Sequence, residues 1–168
     1  EECKLIIQNL EDKNPTTIEG TPLHLAAQEG NLEVCKLIMG KIKNQNPSTF
    51  LGVTPFHLAA RNGHFDICKH FIEKLWIKNP GCWIYNETPL HTAAANGCLG
   101  VCEMILKNIQ DIRGVLVEWN GKTPLALASD NGHIICMLLI ISHMQSLISN
   151  DLGYYQESEP LYFVPFYY

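Results

Sequence analysis

Thr88-Pro89-Leu90-His91-Thr92-Ala93-Ala94-Ala95-Asn96-Gly97 decides how this chain folds, because close copies of it stand on both sides. Thr21-Pro22-Leu23-His24-Leu25-Ala26-Ala27 and Thr54-Pro55-Phe56-His57-Leu58-Ala59-Ala60 precede it, and Thr123-Pro124-Leu125-Ala126-Leu127-Ala128 follows. The copies start 33, 34 and 35 residues apart, a period that marks a repeat architecture. Each copy spells a helix start. Threonine suits the N-cap, where its hydroxyl accepts an orphan backbone N–H, and proline suits the first helical position, where a missing donor costs nothing. Histidine at the third helical position can reach back to the cap in the manner of a capping box, and the Ala pair lets a neighbouring helix approach closely. Gly30, Gly63, Gly97 and Gly132 lie nine residues after their threonines, where a left-handed residue ends a helix. A helix of about two turns does not hold alone in water. Each copy therefore needs its siblings.

Second helices are expected at roughly 31–43, 64–77, 98–110 and 133–148. In the second of them, Phe65, Ile67, Cys68, Phe71, Ile72 and Leu75 recur at helical spacing as a packed face, and Asp66, Lys69, His70, Glu73 and Lys74 form the wet one. The last copy breaks that pattern. Cys136-Met137-Leu138-Leu139-Ile140-Ile141 is apolar on every side, and a terminal repeat needs a polar outer face, so something must cover it. At the other end, residues 1–12 match a second helix without its first, which reads as a truncated repeat with further repeats ahead of it, the alternative being a simplified N-terminal cap. In the tail, Glu159-Pro160-Leu161-Tyr162-Phe163 resembles a decayed copy of the motif, 36 residues after Thr123. Pro165 would interrupt its helix, so the expectation is a stunted unit whose Leu161, Phe163 and Phe166 pad the last helix. The alternative makes this aromatic tail a ligand for another protein or another copy of the chain.

The motif TPLHLAA, then glycine, then an apolar stretch such as Leu32-Glu33-Val34-Cys35-Lys36-Leu37-Ile38 resembles the ankyrin repeat. The resemblance implies an all-α fold, an ankyrin-repeat solenoid of stacked helix-turn-helix units joined by hairpin-like loops. It divides the chain into a stack over 1–148, with a partial repeat at 1–15 and repeats at about 16–48, 49–82, 83–117 and 118–148. Residues 149–168 remain as the aromatic tail or degenerate capping half-repeat. One departure is clear: the family's Gly-Ala-Asp segment is replaced by Asn14-Pro15, Asn46-Pro47 and Asn79-Pro80, so loop shapes follow less directly than helix positions.

The resemblance also implies what the chain does: it binds a partner protein on the concave face formed by the loops and the exposed ends of the first helices, without catalysis. Length variation falls between one second helix and the next TP, where Cys3 to Thr21, Cys35 to Thr54, Cys68 to Thr88 and Cys102 to Thr123 span 18, 19, 20 and 21 residues. Loops that vary on a rigid frame are where binding residues concentrate. Carried onto this chain, the candidate partner-binding residues are Ile18, Phe50, Leu51, Trp83, Tyr85 and Trp119 in the loops and Arg61, Asn96 and Asp130 at the ends of first helices. Large rigid aromatics dominate interface energetics. The structural alternative folds some of them under the loops, Trp83 and Ile84 above all, which leaves Tyr85 and Trp119 as the stronger contacts.

Charge and cysteine usage exclude several other classes. With 12 Lys and Arg against 17 Asp and Glu, net charge −5, and no basic cluster, phosphate-driven nucleic-acid binding is not expected. No run of 18 apolar residues offers a membrane span. Cys35, Cys68 and Cys102 each fall fourteen residues after their threonine, where side chains of successive repeats stand about 10 Å apart by helix-packing distance, too far for a disulfide. They read as small buried hydrophobes in a reducing compartment, cytoplasmic with the nucleus as the alternative. The equivalent spacing of His24, His57 and His91 excludes one shared metal, and Cys98 with Cys102 lacks the further ligands a zinc site requires. No nucleophile–base set or phosphate loop is present, so neither enzyme activity nor a cofactor is expected. The alternatives to a binding module are a thiol-based redox or metal sensor and a spacer that self-associates through the apolar last helix and tail.

Overall fold

The computed structural model describes residues 20–75, 87–109, 115–116 and 118–157, with the side chains of 150–157 excepted. Each TP motif opens a seven-residue helix: α1 (Pro22–Gln28), α3 (Pro55–Arg61), α5 (Pro89–Ala95) and α7 (Pro124–Asp130). Each is followed by its antiparallel partner: α2 (Leu32–Met39), α4 (Phe65–Lys74), α6 (Leu99–Leu106) and α8 (Ile134–Glu157). The first helices pack in file, α1 on α3 on α5 on α7, and the second helices form a second layer behind them, α2 on α4 on α6 on α8. Among the described residues no strand forms; an isolated bridge pairs Trp119 with Lys122.

Between the layers lies a continuous core. Leu23, Phe56 and Leu90, the apolar residue two places after each threonine, are fully buried, and complete burial of such a side chain contributes about 1.5–3 kcal/mol. Cys35, Cys68 and Cys102 meet them from the second helices, each with no exposed surface, as their common position foretold. Phe56 stacks on Phe71 at 5.7 Å between ring centres. The Ala pairs Ala59-Ala60 and Ala93-Ala94 have no exposed surface either, which is what close helix approach demands.

Two expectations need correction. The second helices α2, α4 and α6 are shorter than the periodic stretches suggested, because Gly40 caps α2 and the apolar residues beyond, Ile42 and Leu75, pack from the connecting chain instead. The last one is longer: α8, expected to end near 148, continues to Glu157. Residues 149–157 contain no proline, and the single Gly153 costs about 1 kcal/mol, too little to stop an established helix. The decayed motif beginning at Glu159 lies outside the described residues, as does the partial repeat at 1–15.

Candidate protein-binding surface

The surface is held in place by a ladder of histidines. In α1, α3 and α5 the third helical residue closes a capping box: Nδ1 of His24, His57 and His91 accepts the backbone N–H of Thr21, Thr54 and Thr88 at 3.1, 3.2 and 3.1 Å. A nitrogen that accepts an amide hydrogen carries none of its own, so the proton sits on Nε2. That nitrogen donates across to the next repeat, to the carbonyls of Val53 (3.0 Å), Glu87 (3.0 Å) and Lys122 (3.3 Å). Each acceptor is the residue just before the next threonine, so every histidine fixes where the following loop enters its helix. All three are buried, and desolvation pushes His57 down from 6.5 to about 4, against the Glu87 hydrogen bond that favours the charged form and with help from the Arg61 cation. His24 is lowered by the same burial. With both ring nitrogens committed, these histidines are joints and not catalytic bases.

A second set of joints ties the other end of each first helix to its successor. His64 Nε2 donates to the Gln28 carbonyl at 2.8 Å and His133 Nε2 to the Ala95 carbonyl at 3.1 Å, while the Cys98 thiol occupies the same place over the Arg61 carbonyl at 3.6 Å. Gly97 shows what this packing needs. Its φ is +67°, and a Cβ there would come within 2.6 Å of the His133 ring. Glycine is required for conformation and for space alike.

On this frame two turns project. Thr49 N–H donates to the Val53 carbonyl at 2.8 Å and Gly52 N–H to the Thr49 carbonyl at 2.9 Å, which leaves Phe50 and Leu51 at the tip, 94% and 51% exposed. Trp119 and Lys122 exchange both backbone hydrogen bonds, at 2.8 and 2.9 Å, across Asn120 (φ +50°) and Gly121 (φ +72°). That is the two-residue Asn-Gly hairpin turn, whose two positive φ angles asparagine and glycine tolerate best. Trp119 itself is half-buried. It meets His91 edge-on at 6.4 Å, and its indole N–H is buried with no hydrogen-bond partner among the described residues. The ring therefore anchors the hairpin to the stack and leaves only its outer part exposed.

The first-helix candidates lie where the repeat register puts them. Arg61 is exposed at the end of α3, in a groove shared with Gln28, Glu29, Leu58, Asn62 and His64. Its guanidinium opposes the upward push that burial gives the Glu87 carboxyl. Asn96 is exposed, with its amide donating to the Thr92 carbonyl at 2.8 Å, and caps α5. Asp130 is bound to Lys122 at 2.6 Å, both about half exposed, a pair that contributes at most about 1 kcal/mol. Ile18, Trp83 and Tyr85 lie outside the described residues.

Sequence reasoning passed over Leu25, which is 51% exposed on α1, and its half-buried counterpart Leu58 on α3. Both belong to the motif and were read only as helix residues. Residues two apart on a helix point to nearly opposite faces, so a buried Leu23 turns Leu25 outward. The same position is buried further along: Thr92 donates its hydroxyl to the Pro89 carbonyl at 2.9 Å, and Leu127 packs inward.

Burial suppresses the acidity of the core thiols. Burial pushes Cys35 up to about 11 and Cys68 up to about 12, and raises Cys102, which is also hydrogen-bonded to Cys136. That contact joins unlike positions, because Cys136 falls thirteen residues after its threonine and Cys102 fourteen. Among the described residues no three His, Cys, Asp or Glu groups gather to hold a metal ion.

The family model described as "Ankyrin repeats (3 copies)" matches residues 1–80 and again 74–151. No curated protein matches the chain. With nearly the whole length covered by that model, four TP helices in file and a second layer of helices behind them, the chain belongs to the ankyrin-repeat family.

Proposed function

We propose that this chain is a non-catalytic module that binds a partner protein through its loop tips and the C-terminal ends of its first helices. Ankyrin repeats are generally protein–protein interaction modules and typically lack catalysis. The observation that carries the reading is the turn at residues 49–53, which holds Phe50 94% exposed beside a half-exposed Leu51. A phenylalanine so placed contributes little to its own fold and much to any surface that covers it. Arg61, Asn96, Trp119 and Asp130 extend the face across the following repeats, and Ile18, Trp83 and Tyr85 belong to it by register.

The net charge of −5 favours a protein partner over nucleic acid. Among the described residues no helix is long and apolar enough to cross a membrane. Free thiols at Cys35, Cys68, Cys98, Cys102 and Cys136, all but Cys98 buried, suit a reducing compartment, cytoplasmic or nuclear. Their suppressed acidity speaks against a thiol sensor.

The test immobilises the chain, its Phe50→Ala form and its Arg61→Ala form, and compares the amount of any specifically retained protein alongside thermal unfolding of each. A buried aromatic anchor contributes 2 kcal/mol or more, so Phe50→Ala is expected to weaken retention by roughly thirtyfold with Tm unchanged. Equal retention by all three forms would refute the reading.

A further inference from the structure

We infer that Asn120 is a site of spontaneous deamidation, in which the Gly121 backbone nitrogen closes on the Asn120 side-chain amide to form a succinimide. The chain contains four Asn-Gly steps, at Asn62-Gly63, Asn96-Gly97, Asn120-Gly121 and Asn131-Gly132. Asparagine is thermally labile, and a following glycine leaves the attacking nitrogen unshielded by any side chain. All four asparagines are exposed, so access to water does not separate them. Their hydrogen bonds do.

Asn62, Asn96 and Asn131 are the C-caps of α3, α5 and α7. Each side-chain amide is tied to a carbonyl, that of Gln28 at 3.1 Å, Thr92 at 2.8 Å and Leu127 at 3.0 Å respectively. The nitrogens that would attack are tied as well, since Gly63, Gly97 and Gly132 donate to the carbonyls of Ala60, Ala94 and Ser129 at 3.3, 3.3 and 3.0 Å. At each cap both bonds must break before nitrogen and amide carbon can meet. At the hairpin turn neither group is held. Its two backbone hydrogen bonds belong to Trp119 and Lys122, and neither the Asn120 amide nor the Gly121 N–H has a hydrogen-bond partner among the described residues. An exposed two-residue tip also opens locally at little cost.

The reaction balances on water alone. The Gly121 N–H gives its proton to hydroxide and the nitrogen bonds to Asn120 Cγ. The Cγ–Nδ2 bond then breaks, and Nδ2 takes up a proton from water and leaves as ammonia. A water molecule opens the ring at either carbonyl, which yields aspartate or isoaspartate with nothing oxidised or reduced. Either product adds a carboxylate close to Lys122, whose ammonium holds Asp130 at 2.6 Å. Isoaspartate also routes the main chain through its Cβ, and a turn lengthened in that way no longer matches the paired bonds that seat Trp119 against His91.

The experiment incubates the full chain at mildly alkaline pH, folded and in concentrated urea, and follows each Asn-Gly step by peptide mapping with mass spectrometry. Two hydrogen bonds hold each cap asparagine and none holds Asn120, so in the folded protein Asn120 should convert roughly tenfold or more faster than Asn62, Asn96 and Asn131. In urea the four rates should converge. Ammonia release is followed in parallel for an Asn120→Gly form, which keeps the turn and removes the reacting amide; its fast phase should vanish. Conversion of Asn120 no faster than that of the caps in the folded chain, an undiminished lead for Asn120 in urea, or unchanged ammonia release by Asn120→Gly would each overturn the assignment.

Discussion

Acid should loosen the stack through His57, and the size of the effect follows from its surroundings. The folded protein holds His57 neutral with a value near 4, set first by burial, while an exposed histidine titrates at 6.5. Because the folded value is depressed, the unfolded chain binds the extra proton more readily, so the stabilisation is complete above 6.5 and is lost as pH falls toward 4. At 1.36 kcal/mol per unit, the loss between pH 7 and pH 4.5 is about 2–3 kcal/mol for this residue alone, and His24 acts in the same direction. Structurally, protonation places a hydrogen on Nδ1, where the Thr54 N–H already points at 3.2 Å. The clean comparison is His57→Gln, since glutamine at the third helical position can still close a capping box but does not titrate. Urea unfolding at pH 7 should find the variant weaker by about 1 kcal/mol, the net worth of the lost bond to the Glu87 carbonyl. At pH 4.5 the wild type should have lost about 2–3 kcal/mol more than the variant. If the two lose equal stability across that window, His57 is not the neutral joint described.

Three further outcomes follow from the same geometry. Gly97→Ala should destabilise the stack by several kcal/mol, whereas Gly132→Ala, strained at φ +73° but sterically open, should cost only about 1–2 kcal/mol; equal Tm losses would show that the His133 ring does not rest on Gly97. In thiol labelling of the folded protein, Cys98 should react ahead of Cys35, Cys68, Cys102 and Cys136, which are buried, and prompt labelling of Cys68 would contradict the core packing. Asp130→Asn should shift stability by less than about 1 kcal/mol, because both members of its ion pair are half solvated; a larger change by urea titration would mean the pair is more than a surface contact.

The period of the TP motifs, the helix starts, the glycine stops and the burial of the threonine-plus-fourteen cysteines were all legible in the amino-acid order, because each depends on a residue's own backbone preferences or on spacing along one helix. The histidines were legible only by half. Nδ1 acts within four residues and was anticipated, but Nε2 acts on a carbonyl 29 to 31 residues away, and no local rule points there. Trp119 and Phe50 looked alike as loop aromatics, yet one lies against His91 and the other stands in solvent, a difference set by how each turn folds over its neighbour. The sequence by itself determined that short capped helices would repeat and must stack. Only the tertiary structure decided which side chains join one repeat to the next and which are left exposed, because those choices depend on distances between segments that are neighbours in space and strangers in the chain.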